Sequence, residues 1–217
     1  DTLKAGLKLW RLLRAIKAYN PDQPRVPAGN PDGGQWTTGD QATQLAAADK
    51  PSLGRGALLA ILAQAAKRLI EAYRSENGLR DLFGRKDGTV TVTTIDGSDV
   101  FGSNSNSPTY RSVDRIAAEE LRDTLIEKYP DEMSSQNTGQ IPNNAVFHAE
   151  ATVLLRAARA NGGTLAGRTL EVYADRNMCS SCDRILPYIG LELGNPTVTF
   201  VGPTGLRKTM RNGSWID

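Results

Sequence analysis

Histidine, cysteine and methionine are nearly absent from this chain: its 217 residues include one, two and three of them. Two cysteines in one close pair exclude a framework of several disulfides, and metal binding or redox chemistry becomes the expected use. No apolar run reaches the roughly 20 residues that a bilayer-spanning helix needs. The mostly apolar, uncharged stretch Gly56 to Ala66 is too short and reads as a core-facing helix. Neither sign of charge dominates, and a net charge of +2 is weak evidence for a polyanionic partner. Apolar content of 39% and charged content of 23% suit a globular fold, one domain of ordinary size plus an appendage. The opening Asp1-Thr2-Leu3-Lys4 lacks an initiator methionine, so the chain is expected to be an excised fragment whose upstream signals are lost.

The scarce residues are concentrated. The single imidazole lies in His148-Ala149-Glu150, and both thiols lie in Cys179-Ser180-Ser181-Cys182. One imidazole and two thiolates make a three-ligand zinc set with a position left open, the catalytic rather than the structural pattern. Residues three apart at a helix start face the same way, and the free amides there favour thiolate over thiol. Glu150 adds a carboxylate that can handle protons without ligating the metal. Zinc lowers the pKa of water from about 15.7 to roughly 7, which supplies a nucleophile at neutral pH.

Around these motifs the chain divides in two, a leader over 1–85 and a catalytic domain over 86–217. Leu3 to Tyr19 reads as a basic amphipathic helix, a solvated face over a packed one. Asn20 to Leu53 is rich in Pro, Gly, Asp and Thr and reads as a linker or wrapped segment. Residues 55–83 read as one or two helices. The regular part begins with the β-forming run Thr89 to Ile95, an Asp96-Gly97 hairpin turn and a second strand at Asp99-Val100-Phe101. A helix follows over Ser112 to Tyr129, with Val113, Ile116, Ala117, Leu121, Leu125 and Ile126 expected on its buried face. A buried helix over His148 to Asn161, a strand at Thr169 to Tyr173, and a helix from Cys179 to about Leu186 come next. A strand at Thr197 to Val201 and a short one at Leu206 to Met210 complete the order.

H-x-E followed by C-x-x-C is the signature of zinc-dependent nucleobase deaminases. Asn144 to Cys182 resembles the cytidine deaminase superfamily, and the wider Thr89 to Trp215 region resembles the deaminase domains of bacterial polymorphic toxins. Arg25 to Trp36 is similar to the junction that precedes such toxin domains. The resemblance implies an α/β, cytidine deaminase-like three-layer fold with a mixed sheet. It implies that His148, Cys179 and Cys182 bind Zn²⁺, that Glu150 shuttles protons, and that the backbone amide of Ala149 contacts the base. An asparagine after the second strand would touch the nucleoside, with Asn104 or Asn106 as the candidates. Met178 stands where many members carry proline, which argues against close kinship with the tRNA and vertebrate editing enzymes. Only Gly202-Pro203-Thr204-Gly205 separates the last two strands, too short for a crossover, so the final strand must return antiparallel. That points to the cytidine-deaminase and toxin branch.

Rival readings are weaker. A structural zinc site normally fills four positions with protein ligands, and no further Cys or His exists here. A thioredoxin-like motif needs a strand and helix between Cys182 and Pro196, and 13 residues leave no room. Phe147 could stack on a base or pack in the core, with Tyr110, Tyr173 and Trp215 in flanking segments. Arg207, Lys208 and Arg211 could hold phosphates or simply charge an edge strand. The expectation is cytosine deamination in nucleic acid, single-stranded DNA first, by a secreted effector acting in the cytoplasm of a target cell. A cognate immunity protein would protect the producer. RNA, tRNA or free nucleoside as substrate, and a non-catalytic zinc-binding module, remain the alternatives.

Overall fold

A computed structural model describes residues 55–80, 87–133 and 143–216. The helix expected at Leu3 to Tyr19, the linker and the Arg25 to Trp36 segment lie outside the described residues. The chain divides into two compact units, Asp1–Leu62 and Ala63–Asp217. The second unit thus begins upstream of the boundary expected at residue 86 and takes in much of helix α1 (Arg55–Glu76). Arg74 explains why. Its Nε donates to Asp175 at 2.7 Å, and its other nitrogens donate to the carbonyls of Arg80 and Gly88 at 2.6 and 2.7 Å. A buried guanidinium with these donors placed is a strong tie between α1 and the sheet.

Five further helical segments and six strands follow among the described residues. They are β1 (Val90–Ile95), β2 (Ser98–Ser103), α2 (Ser112–Lys128), the short α3 (Pro130–Met133), a 3₁₀ turn (Asn144–Phe147), α4 (Ala149–Ala160), β3 (Thr169–Ala174), α5 (Ser180–Glu192), β4 (Thr197–Val201), β5 (Arg207–Arg211) and β6 (Ser214–Trp215). The sheet order is β2-β1-β3-β4-β5-β6, a mixed sheet in which only β3 and β4 run parallel. Asp96 and Gly97 both take positive φ, 47° and 80°, the turn that matches strand twist in a two-residue hairpin. The last long strand returns antiparallel, as the four-residue connection requires.

Alternation along β1 assigns the faces. Thr91 Oγ1 donates to the carbonyl of Ala149 at 2.9 Å, so Thr91, Thr93 and Ile95 look toward α4. Val92 pairs with Phe101 on the opposite face, where Tyr73 of α1 stacks on Phe101 with centroids 4.2 Å apart. Helices therefore cover both faces. The main core lies on the α4 side, where Leu121, Leu125, Val153, Leu154, Ile185, Leu186, Val172 and Phe200 pack together. The fold is α/β and cytidine deaminase-like.

Three sequence expectations need correction. On α2 the buried stripe is Asp114, Ala118, Leu121 and Leu125, whereas Val113, Ile116 and Ile126 are exposed. The cause is ionic. Arg156 and Arg159 of α4 reach Asp114 at 2.6 and 3.2 Å and rotate the helix toward its own carboxylate. Burial alone would raise the Asp114 pKa, but these bonds and the Arg111 amide hold it below the usual carboxylate range. The second correction is α5, which runs through Pro187 to Glu192 instead of stopping near Leu186. The third is the extra strand β6, which pairs with β5 through Met210 and Trp215.

Gly102 sets how closely α4 can approach. A Cβ there would collide with the carbonyl oxygen of Ala149 and stand 2.7 Å from the Val153 nitrogen. Gly102→Ala should therefore destabilise the protein by about 1–3 kcal/mol, the usual cost of overpacking. Urea unfolding checks this, and an unchanged midpoint would show that the helix can give way.

Candidate functional site

The site forms where two helix N-termini meet. His148 ends the 3₁₀ turn and is the N-cap of α4, in extended conformation at φ −86°, ψ 163°. Cys179 is the N-cap of α5 in nearly the same conformation, φ −81°, ψ 160°, and its sulfur accepts from the Cys182 amide at 3.4 Å. Cys182 follows one turn into α5 and is fully buried, while Cys179 reaches the surface. His148 Nδ1 lies 3.3 Å from Cys182 Sγ and 3.6 Å from Cys179 Sγ. The three candidate ligand atoms all lie within 4.8 Å of one another. An imidazole nitrogen and two sulfurs converging on one point form a donor set that can hold a metal ion, and the set fits a borderline-soft dication best.

The electrostatics favour the same conclusion. The hydrogen bond from Cys182 and the contact with His148 draw the Cys179 thiol down to about 4, against the opposing effect of burial. The same Cys179 contact, together with burial, pushes Cys182 up. His148 is raised by its contact with Cys179. Two sulfurs and an imidazole of opposed proton affinity thus share a small space, and a dication placed there would displace the protons they hold.

Glu150, in the first turn of α4, is 4% exposed, and burial raises its pKa above the usual carboxylate value. It also lines a cavity with Ala174, Arg176, Asn177, Met178, Phe200, Val201, Gly202, Leu206 and Lys208. The walls are largely apolar, with Glu150 among them and Lys208 the one lysine. A flat, uncharged ring suits such a space.

Other expected site residues are placed less uniformly. Ala149 is buried at the start of α4, its carbonyl held by Thr91. Phe147 packs against the core, with Arg122 5.9 Å from its ring centroid. The Asn/Ser turn abuts the site, because the Ser105 amide donates to the Phe147 carbonyl at 3.0 Å. Within that turn the Asn104 side chain accepts from the Thr89 amide at 3.0 Å, and Asn106 is exposed. Neither asparagine lines the cavity. Arg207 and Lys208 point to opposite faces of the sheet: Lys208 pairs with Asp183 of α5, and Arg207 pairs with Glu171 of β3. Of the two, Lys208 lines the cavity.

Sequence reasoning missed Asn143. Its Oδ1 accepts from Ala145 at 2.9 Å, and its Nδ2 donates to the Ser181 carbonyl at 3.1 Å. One buried amide thus ties the turn before His148 to the turn between the cysteines. The only signal available was its place beside the His motif.

The family model for MafB19-like deaminases matches residues 64–193, more than half of the chain. The chain belongs to that family. It is a cytidine deaminase-like family used in bacterial toxins, and the matched span contains His148, Glu150, Cys179 and Cys182. No curated protein matches the chain at a significant level. Membership makes this domain a deaminase. The matched region starts within α1, in agreement with the compact unit, and stops before β4, β5 and β6.

The deaminase should bind one metal ion per chain through this triad. Titrating chelator-stripped protein with Zn²⁺ should saturate at about one equivalent, and Cys182→Ala should abolish tight binding. A Cys179–Cys182 disulfide in protein kept under reducing conditions, with no ion taken up, would overturn the assignment.

Proposed function

We propose that this domain is a zinc-dependent hydrolytic deaminase converting cytosine to uracil in nucleic acid, single-stranded DNA above all. We further propose that it acts as an interbacterial toxin domain. The observation that carries the chemistry is one buried carboxylate, Glu150, shared between the ligand triad and an apolar cavity. His148, Cys179 and Cys182 would hold the zinc, which when bound supplies water activated for attack at neutral pH. The chain's own residues do the rest. Glu150 takes the proton released from water, delivers it to the ring nitrogen next to the attacked carbon, and moves another to the departing amine. Water plus cytosine then become uracil plus ammonia. Burial, which raises the affinity of Glu150 for a proton, suits a group that must both receive and give one. Met178, Phe200 and Leu206 give the base apolar walls, and Lys208 offers a cation for a neighbouring phosphate.

A polymer substrate is favoured by the two cations that line the cavity, Arg176 and Lys208, the latter shared with Asp183, beside walls otherwise apolar. Family membership supports the toxin role. A toxin of this kind would be delivered as a secreted effector to the cytoplasm of a target cell, with an immunity protein guarding the producer. No helix among the described residues is long and apolar enough to cross a membrane.

Glu150→Ala should retain the metal and the fold but lose turnover by at least 10²–10⁴-fold, the range typical of a general acid–base group. Ammonia release measured beside metal content checks both halves. A mutant keeping most of its activity would mean that another residue moves the protons.

Substrate choice is tested by incubating the enzyme with cytidine, RNA, single-stranded DNA and duplex DNA, then sequencing the products. The unpaired DNA strand should react fastest, because extruding a base from a duplex costs a few kcal/mol. Added salt should weaken the reaction, and Lys208→Ala should reduce the salt slope by about one phosphate contact. Arg207→Ala should leave that slope unchanged, since Arg207 faces the other side of the sheet. Efficient turnover of free cytidine with oligonucleotides untouched would overturn the polymer reading.

A further inference from the structure

Pro187 lies inside α5 and has no N–H, so the carbonyl four residues back, that of Asp183, loses its helical partner. That carbonyl directly follows Cys182. Trp215 on β6 takes the vacant bond: its Nε1 donates to the Asp183 carbonyl at 2.8 Å. The same indole stands edge-on to Phe200, with centroids 6.1 Å apart and planes at 73°. Lys208 Nζ lies 5.0 Å from the indole centroid, and Lys208 in turn pairs with the Asp183 carboxylate. Phe200 and Lys208 both line the cavity beside Glu150. Phe200, Lys208 and Trp215 all lie beyond the residues matched to the family.

We propose that Trp215 is a positioning residue for the catalytic centre. Its indole N–H replaces the hydrogen bond that Pro187 removes and so fixes the first turn of α5, which carries Cys182. Its ring backs the two cavity-lining residues Phe200 and Lys208. Backbone pairing of β6 with β5 would hold the strand without an indole, so strand formation alone does not explain the contact. Leaving a half-buried carbonyl without a donor loosens its segment more than losing a solvent-exposed bond does. The loosened segment here is the turn that presents a metal ligand. The inference rests on the metal reading proposed above.

The test is a four-protein cycle: the parent chain, Trp215→Phe, Pro187→Ala and the double variant, all loaded with Zn²⁺ and folded by circular dichroism. The Phe variant keeps a ring against Phe200 and Lys208 and deletes only the donor. The rate of zinc transfer to a chromogenic chelator is read under native conditions, where a change in global stability alone would not move it. Trp215→Phe should speed transfer roughly tenfold. In the Pro187→Ala background the same change should have little effect, because the amide of the new residue 187 can bond to the Asp183 carbonyl. Equal acceleration in both backgrounds, or none in either, would overturn the proposal. Failure of the parent chain to hold zinc would overturn the metal reading instead. The four urea midpoints would then decide whether the indole and Pro187 are coupled.

Discussion

Two helix N-termini must meet within a few ångströms, and the site depends on what holds them there. Each terminus has free amides and a partial positive charge, so their approach is unfavourable unless anionic groups lie between them. The Cys179 sulfur, whose thiol pKa is drawn down to about 4, lies at that junction between His148 and the Cys182 amide. Three neutral contacts complete the constraint. The Thr91 hydroxyl holds the Ala149 carbonyl, Gly102 leaves room for α4 to touch β2, and the Asn143 amide reaches Ser181 across the junction. The local polarity that makes the junction costly to assemble also suits a cluster that could hold a cation.

The same constraint places Glu150. Glu150 sits on the same turn as the Ala149 carbonyl, so the contacts that seat α4 also aim Glu150 into the cavity. Burial raises its proton affinity, and apolar walls keep bulk water from competing for its proton. Arg156 and Arg159 hold α4 from its far end through Asp114. The helix is thereby fixed at both ends, the kind of support a proton-transfer group needs.

The sequence made legible those features that local chemistry decides. The cluster that could hold a metal followed from scarcity, since a single histidine and a single cysteine pair left no other Cys or His candidates. Strands β1 and β4 followed from β-branched runs, and the antiparallel return of β5 from a connection too short to cross over. What stayed hidden was decided between distant residues. The rotation of α2 depends on Arg156, 42 positions from Asp114. Where α5 continues through Pro187, the Asp183 carbonyl accepts from a tryptophan 32 positions away. Asn143 matters because of Ser181, and no periodicity reports such a pair.

Arg207 and Lys208 show the limit most plainly. As a charged pair on a terminal strand they look like one feature, yet strand alternation sends adjacent side chains to opposite faces. Arg207 is absorbed by Glu171, which also accepts from the Tyr173 hydroxyl at 2.8 Å, so its charge is spent on cohesion of the sheet. Lys208 falls on the face where α5 supplies the ligands, and it reaches the cavity because β5 runs antiparallel beside β4. A parallel final strand would need a crossover connection in place of this four-residue turn. The short turn after Val201 therefore fixes which of two neighbouring cations faces the cavity.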